Sequence, residues 1–264
     1  MTRMSYAVAI AGMLASVAFA QQTSPAPSGH PDLSGTWAIS LGVNAGSALR
    51  QEVDGSEVVR RLNRAEIRGA IGQAQNALPW TNAPSYKPEF QAKVKDLETH
   101  QNKTDPVFYC GKPGVPRVGP PRRIIQLPNE MVFLYEDMSG DPYRIIPIDG
   151  RAHRADANPS YYGDSVGHWE GNTLVIDVTN FIEDTWFGEK GYFHTDAMRV
   201  TERLWREGDN LVWQATVHDP NVLAQPWTMA PRTIMPSTLP LEESPACKEQ
   251  DGALLLNDDH HDQR

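Results

Sequence analysis

The second half of the chain alternates apolar and polar residues with a period of two, the pattern of half-buried β-strands. The alternating runs are short, and turn signals such as Pro128-Asn129, Asp149-Gly150 and Glu207-Gly208-Asp209 separate them. The predicted strands are Arg123–Leu127, Met131–Asp137, Tyr143–Ile148, Ser165–Glu170, Thr173–Asn180, Met198–Arg206 and Asn210–His218. Seven short strands joined by tight turns indicate an antiparallel meander.

The first half of the chain has a different pattern. An opening strand is predicted around Trp37, whereas the apolar spacing predicts one helix over residues 56–75 and a second over Pro88–His100. Residues 105–121 contain too many Pro and Gly residues for regular structure. We expect this segment to be an ordered loop laid over the strands.

With the opening strand the count reaches eight, enough to close an up-and-down barrel that holds one small ligand. The Gly35-Thr36-Trp37 step also resembles the Gly-x-Trp signature of lipocalin-like (calycin) barrels. The predicted fold class is therefore mainly β, an antiparallel lipocalin-like barrel with N-terminal helices and a long Pro/Gly-rich loop. We expect one domain over residues 32–250, with a flexible lead-in at 21–31 and a polar tail at 251–264.

The N-terminal residues 1–20 have the features of a secretory signal peptide. Arg3 precedes an apolar stretch that is short for a membrane span, and Ala18-Phe19-Ala20 is a small-x-small cleavage signal. We expect cleavage after Ala20 and a periplasmic or secreted protein that does not span the membrane. Without Arg3 the chain has 23 basic and 33 acidic side chains, which argues against nucleic acid as a partner.

Two cysteines, Cys110 and Cys247, lie far apart in sequence in Pro-containing surroundings. Because an exported chain meets an oxidising environment, we predict a disulfide between them. Neither has the neighbouring His, Asp or Cys that a metal or nucleophilic role requires.

Glu202 is the most unusual residue of the predicted strands. Alternation places its carboxylate on the same face as Met198, Val200 and Leu204, where ionisation is costly unless the charge is paired. Two interpretations stay open: a general acid or base, or a buried ion pair with an arginine of a neighbouring strand. His194 precedes this strand at the expected barrel rim, where it would complete an acid/base pair with Glu202.

Other ionisable residues of the same region are further candidates. His153 and Asp177 are predicted catalytic residues, and His168 is a weaker one. Asp164 has two possible roles. It orients the side chain of Ser165 or of a histidine, or it is a turn residue beside Gly163 that bonds the local backbone.

Aromatic residues and two arginines are the candidate substrate-binding groups. Several aromatic residues lie in a Gly-containing loop, where they form either a lid over a flat ligand or a plug of the barrel mouth. Arg199 and Arg203, on the same predicted strand as Glu202, would bind a carboxylate of the substrate if they reach the barrel mouth. The predicted substrate-binding residues are Tyr161, Tyr162, Trp169, Trp186, Tyr192, Phe193, Arg199 and Arg203.

The sequence contains no GK[ST] phosphate loop, no GxGxxG after a strand and no HExxH. The histidines are spaced singly, so neither a cofactor nor a metal is expected, although barrel strands can bring dispersed histidines such as His153, His168 and His194 together.

A second resemblance covers about Asp105 to Trp227. The runs DPVFYCGKPGVPR, YRIIPIDGRAH, GDSVGHWEGNTLVIDVTNF and DPNVLAQPW, with residues 194–206, resemble a large family of exported bacterial proteins. The resemblance implies a shared fold and pocket but brings no activity.

From these residues we predict a cofactor-independent lyase or isomerase that acts by proton transfer on a hydrophobic aromatic small molecule. The alternative is a non-catalytic periplasmic binding protein for a hydrophobic ligand.

Overall fold

The computed structural model describes residues 29–39, 48–53, 56–61, 82–137, 140, 142–244 and 247. The predicted signal peptide at 1–20, most of the lead-in, residues 62–75 of the helix expected over 56–75 and the tail at 251–264 lie outside these residues.

Strands make up most of the regular secondary structure of the described chain. The strands are β1 Gly35–Ile39, β2 Ala48–Val53, β3 Ser56–Arg61, β4 Arg123–Gln126, β5 Glu130–Leu134, β6 Tyr143–Pro147, β7 Asp164–Glu170, β8 Thr173–Thr179, β9 Arg199–Glu207, β10 Asn210–His218, β11 Trp227–Thr228 and β12 Arg232–Pro236. The described helices are the 3-10 turns Pro88–Phe90 and Pro106–Tyr109 and the α-helices Gln91–Thr99 and Gln101–Thr104.

Nine strands form a nearly closed barrel in the order β6-β5-β4-β1-β12-β10-β9-β8-β7. Every neighbouring pair along this path is antiparallel, so the two end strands, β6 and β7, run in the same direction. An antiparallel ladder therefore cannot close the gap between them. Side chains fill it instead, since Arg144 Nη2 donates to Ser165 Oγ at 2.8 Å. We call this gap the β6–β7 seam.

Strand alternation lines the barrel interior with apolar side chains. Leu174, Ile176 and Val178 of β8 are fully buried, as are Val200 and Leu204 of β9. Burial of a large apolar side chain contributes about 1.5 to 3 kcal/mol, which is the main reason these strands hold their register.

The helix Gln91–Thr99 lies on the outside of this core. No residue of the helix is fully buried, but Val94, Leu97 and the preceding Phe90 pack against the core, as their spacing of three to four predicts.

The sequence predicted the seven strands of the meander and the opening strand, with ends that differ by at most three residues. It missed β12, a short strand bounded by Pro231 and Pro236, which inserts between β1 and β10. The helix expected over 56–75 was wrong at Ser56–Arg61, which is β3 and pairs with β2. The β-branched Val58 and Val59 favour a strand there, and local spacing alone did not reveal it.

The predicted disulfide is confirmed, because Cys110 and Cys247 are bonded across 137 residues of sequence. It ties the C-terminal segment to the Pro/Gly-rich loop. Among the described residues, no helix has the length and apolar character needed to cross a membrane.

Candidate functional site

Glu202 lies inside the barrel and is fully buried. Trp213 Nε1 donates to its Oε1 at 2.9 Å, and Arg144 Nη1 lies 2.6 Å from its Oε2. The Arg144–Glu202 contact is an ion pair, but its geometry is not that of a hydrogen bond to Oε2. Of the two interpretations of Glu202, the contacts are those of a buried ion pair.

Arg144 enters the barrel from β6, opposite β9. It donates to Tyr135 Oη at 3.1 Å and to Ser165 Oγ at 2.8 Å, in addition to its contact with Glu202. Burial opposes the charge of Arg144, but the neighbouring Glu202 and Tyr135 outweigh burial and raise its pKa. Burial likewise raises the pKa of Tyr135, so its hydroxyl stays neutral. Arg144, Glu202, Trp213 and Tyr135 form what we call the interior polar centre.

Three buried polar atoms of this region have no hydrogen-bond partner among the described residues: Arg144 Nε, Tyr162 Oη and Glu202 Oε2, the last of which is in ion-pair contact with Arg144. Tyr162 lies just before β7, near enough for the charges of Asp137 and Arg144 to act on it. Burial raises the pKa of the Tyr162 hydroxyl, which therefore remains a neutral donor and acceptor. A buried polar group without a partner costs about 1 to 3 kcal/mol.

A second cluster of ionisable groups lies on the outer face of the barrel. His153 Nδ1 is 2.9 Å from Asp164 Oδ2, and His153 Nε2 is 2.9 Å from Asp177 Oδ2. Arg154 also donates to Asp164, through its backbone N–H and its Nε. Arg199 Nη1 is 4.0 Å from Asp177 Oδ2. We call these residues the His153 cluster.

The two aspartates of the His153 cluster differ in environment. Burial would raise the pKa of Asp164, but hydrogen bonds from His153 and Arg154 outweigh it and hold the pKa below its ordinary value. Asp177 is more exposed than Asp164. Asp164 is therefore the fixed partner of His153, and Asp177 is the partner that solvent reaches.

His194 is buried in the loop before β9. Its Nε2 is 2.6 Å from Thr185 Oγ1, and its Nδ1 is 2.9 Å from the Thr195 carbonyl oxygen. A carbonyl only accepts, so Nδ1 carries a proton. Burial lowers the pKa of the ring. Within the described chain, no hydrogen bond joins His194 to Glu202, and the predicted pair is divided between a loop and the barrel interior.

The loop aromatics form one packed group. Trp186, Tyr192 and Phe193 are buried, and their loop packs against Tyr86 and Trp227. Tyr86 Oη donates to the Phe193 carbonyl oxygen at 2.5 Å. These contacts fasten residues 82–100 to the barrel, and the three loop aromatics are part of the packed core.

The remaining predicted binding residues lie apart from one another. Tyr161 is half-buried beside the Pro/Gly-rich loop, where a Cβ at Gly114 would lie 2.6 Å from its carbonyl oxygen. Trp169 is half-buried and stacks on His30 with ring centroids 4.7 Å apart. Arg203 faces outward and pairs with Glu170. His168, the weaker candidate, also contacts Glu170.

Sequence reasoning missed Arg144, the central residue of the polar centre. In the sequence, the inward direction of Arg144 is indicated only by its spacing of two from Ile146, which also faces inward. Ile145, which faces outward, is as apolar as Ile146, so the strand shows no clear alternation. In the part of the chain that the structure describes, no three His, Cys, Asp or Glu side chains are arranged to hold a metal ion.

Comparison with known proteins adds no identification: no family model, curated protein or solved structure matches this chain.

Proposed function

We propose that the protein binds a hydrophobic aromatic small molecule that carries a polar oxygen, at the interior polar centre of the barrel. The observation that carries this proposal is that two buried N–H and O–H groups of this region, Arg144 Nε and Tyr162 Oη, have no hydrogen-bond partner among the described residues. An oxygen of a ligand accepts from the guanidinium and exchanges a hydrogen bond with the hydroxyl. Such a contact removes the cost of leaving both groups unpaired.

The surroundings of these atoms favour an aromatic ligand. The Arg144 guanidinium carbon is 6.0 Å from the Phe133 ring centroid, and Tyr135 and Trp213 contribute two more rings to the same region. Aromatic side chains offer large apolar contact area with few polar demands. The β6–β7 seam is closed by side chains and not by a backbone ladder, so a ligand can enter there when those side chains move.

Export to an oxidising compartment remains part of the proposal. The Cys110–Cys247 disulfide supports it, because such bonds persist outside the reducing cytoplasm.

The experiment that tests the proposal compares wild-type protein with Tyr162→Phe. Hydroxylated aromatic compounds are titrated against both proteins, with binding followed by calorimetry and tryptophan fluorescence. We expect a binding compound whose affinity falls about tenfold in the variant. The free variant should be at least as stable as wild type, because it loses a buried hydroxyl that has no partner.

Tyr143→Phe is the matched control, since that hydroxyl lies on the exposed outer side of β6 and its loss should leave binding unchanged. Loss of stability in Tyr162→Phe, without any effect on binding, would show that its hydroxyl has only a structural role. Failure of every compound to bind wild-type protein would contradict the proposal.

A second candidate function is proton-transfer catalysis of the lyase or isomerase type at the His153 cluster. It rests on the two carboxylates that flank His153. Asp164 holds Nδ1, while the partly exposed Asp177 is 2.9 Å from Nε2; when Asp177 moves aside, a proton passes between Nε2 and the substrate. Arg199 beside Asp177 supplies a cation for a negatively charged substrate.

This candidate predicts that His153→Gln abolishes product formation in mass-spectrometric assays with aromatic substrates, while ligand binding in the barrel is unchanged. Glu170→Gln is the control and should retain turnover, because Glu170 lies on the same outer face of β7 as Asp164 but outside the His153 cluster. Turnover that survives in His153→Gln would exclude His153 as the proton-transfer group.

A further inference from the structure

Arg232 faces the interior of the barrel. It lies directly opposite Trp213 in the β10–β12 pairing, and Ile234, two residues on, lies opposite Leu211. Trp213, Ile234 and Leu211 are buried in the core. Residues paired across neighbouring strands project to the same side, so Arg232 projects inward as well. The Arg232 guanidinium carbon lies 5.8 Å from the Trp213 ring centroid, which agrees with this orientation.

The positive charge of Arg232 is not neutralised by a direct contact. Within the described chain, its side chain forms no ion pair and no hydrogen bond, and Glu189 is the acidic group whose charge acts on it from a distance. Glu202, the acidic residue of the interior polar centre, is already paired with Arg144. A second arginine therefore faces the barrel with its donors free.

Arg232 is nevertheless open to solvent. It is exposed, although the residue opposite it is fully buried. Gly119 of the Pro/Gly-rich loop passes beside it, and a Cβ there would lie 3.2 Å from Arg232 Nη1. The glycine also has a φ of +79°, a conformation that a side chain would strain. These observations place Arg232 at a solvent-accessible position at the start of β12, between the Pro/Gly-rich loop and the Trp213 ring, and we call this position the barrel mouth.

Trp213 connects this mouth to the interior polar centre. Its Nε1 donates to Glu202, and its ring lies beneath Arg232. A guanidinium that is supported on an aromatic ring keeps its planar face fixed, which prepares its N–H groups for a carboxylate.

We propose that Arg232 is an anion subsite at the barrel mouth that binds the carboxylate of an aromatic acid. This inference rests on the proposed function, because the rest of the same ligand reaches the interior polar centre. Arg232 takes the carboxylate in a bidentate contact, and Trp213 acts as a positioning residue beneath it. The ligand class is thereby narrowed from oxygen-bearing aromatics to aromatic monocarboxylates.

The test uses two probes of the same shape, 4-hydroxybenzoate and its neutral amide, 4-hydroxybenzamide. Calorimetry measures both with wild-type protein, Arg232→Gln and Arg151→Gln. Arg151 is an exposed arginine that pairs with Asp149, so its variant is a control for the loss of one positive charge. We expect wild-type protein to bind the acid about tenfold or more tightly than the amide. In Arg232→Gln, the affinity for the acid should fall to the affinity for the amide. In Arg151→Gln, both affinities should equal those of wild-type protein.

The outcomes separate the two proposals. If the amide binds as well as the acid, or if Arg232→Gln leaves the acid unaffected, the anion subsite is wrong and the aromatic ligand site stands. If neither probe binds wild-type protein, the anion subsite is contradicted, and the wider panel of hydroxylated aromatic compounds decides the ligand site separately. Should Arg232→Gln not fold, Arg232→Lys replaces it, and the inference then requires a weakened but retained preference for the acid, because lysine keeps the charge and loses the bidentate contact.

Discussion

Arg144 on β6 reaches across the barrel to Glu202 on β9, with Nη1 2.6 Å from the carboxylate Oε2. Both side chains are almost completely buried, and the two strands are not neighbours in the sheet. The ion pair therefore links the edge strand of the β6–β7 seam to the continuous part of the barrel. A buried pair of this kind is costly to form, but it is more costly to break.

Removal of the acidic partner should therefore destabilise the protein strongly. In Glu202→Gln, the Arg144 charge remains buried without its counter-ion, and we expect a loss of about 3 to 5 kcal/mol in the free energy of unfolding. Urea denaturation measures the change. The double variant Arg144→Met/Glu202→Leu should recover much of the loss, since it leaves no buried charge. A loss below about 1 kcal/mol in Glu202→Gln would mean that the pair is open to solvent.

The stability of the protein should fall when the pH drops below about 6.5, the ordinary pKa of histidine. Burial lowers the pKa of His194 in the folded state, so in this pH range the unfolded chain binds a proton more readily than the folded chain. At higher pH the ring is neutral in both states and has no effect. As the pH falls towards the depressed folded-state pKa, unfolding is favoured. Urea midpoints between pH 8 and pH 5 measure this loss of stability. In His194→Asn, the part of the loss that comes from this ring should be absent.

A separate loss of stability should appear at more acidic pH. The pKa of Asp164 is lower in the folded state, so its stabilising contribution is complete above its unfolded value near 3.9 and is lost as the pH falls below it. The same denaturation series, extended to pH 3, should show a smaller acid loss in Asp164→Asn than in wild type. Equal acid slopes in the two proteins would contradict the assigned hydrogen bonds.

The Tyr86 hydroxyl should contribute measurably to stability, because it connects residues 82–100 to the aromatic loop. In Tyr86→Phe the Phe193 carbonyl oxygen loses its donor, and we expect destabilisation of about 1 to 2 kcal/mol. Thermal or urea unfolding measures the effect. Tyr143→Phe, at an exposed position on the outside of β6, should have little effect. If the two variants have equal stability, the buried contact does not hold the segment in place.

Reduction of the Cys110–Cys247 bond should destabilise the protein by about 2 to 4 kcal/mol, because the bond closes a long loop of the unfolded chain. Unfolding with and without dithiothreitol measures the difference. The variant Cys110→Ser/Cys247→Ser should match the reduced protein and should not respond to the reductant. A response in that variant would show that the reductant acts elsewhere.

The sequence by itself determined the strands from Arg123 to His218 and the inward direction of Glu202. Both follow from alternation with a period of two, which is a local property of the chain. The disulfide was also predictable, because only two cysteines are available to pair. Local patterns were insufficient for β3, where loosely helical spacing was misleading, and for the short, proline-bounded β12.

Only the tertiary structure decided which side chains meet. Arg144 and Glu202 are 58 residues apart, and they meet because β12 completes a path of nine strands that brings β6 round to face β9. The same closure leaves His194 with Thr185 in a loop, and it joins His153 to Asp164 and Asp177 on the outer face. The side of a strand to which a residue points is determined by its neighbours in sequence. The partner of a buried charge depends instead on strand order and register, which form only when the whole barrel closes.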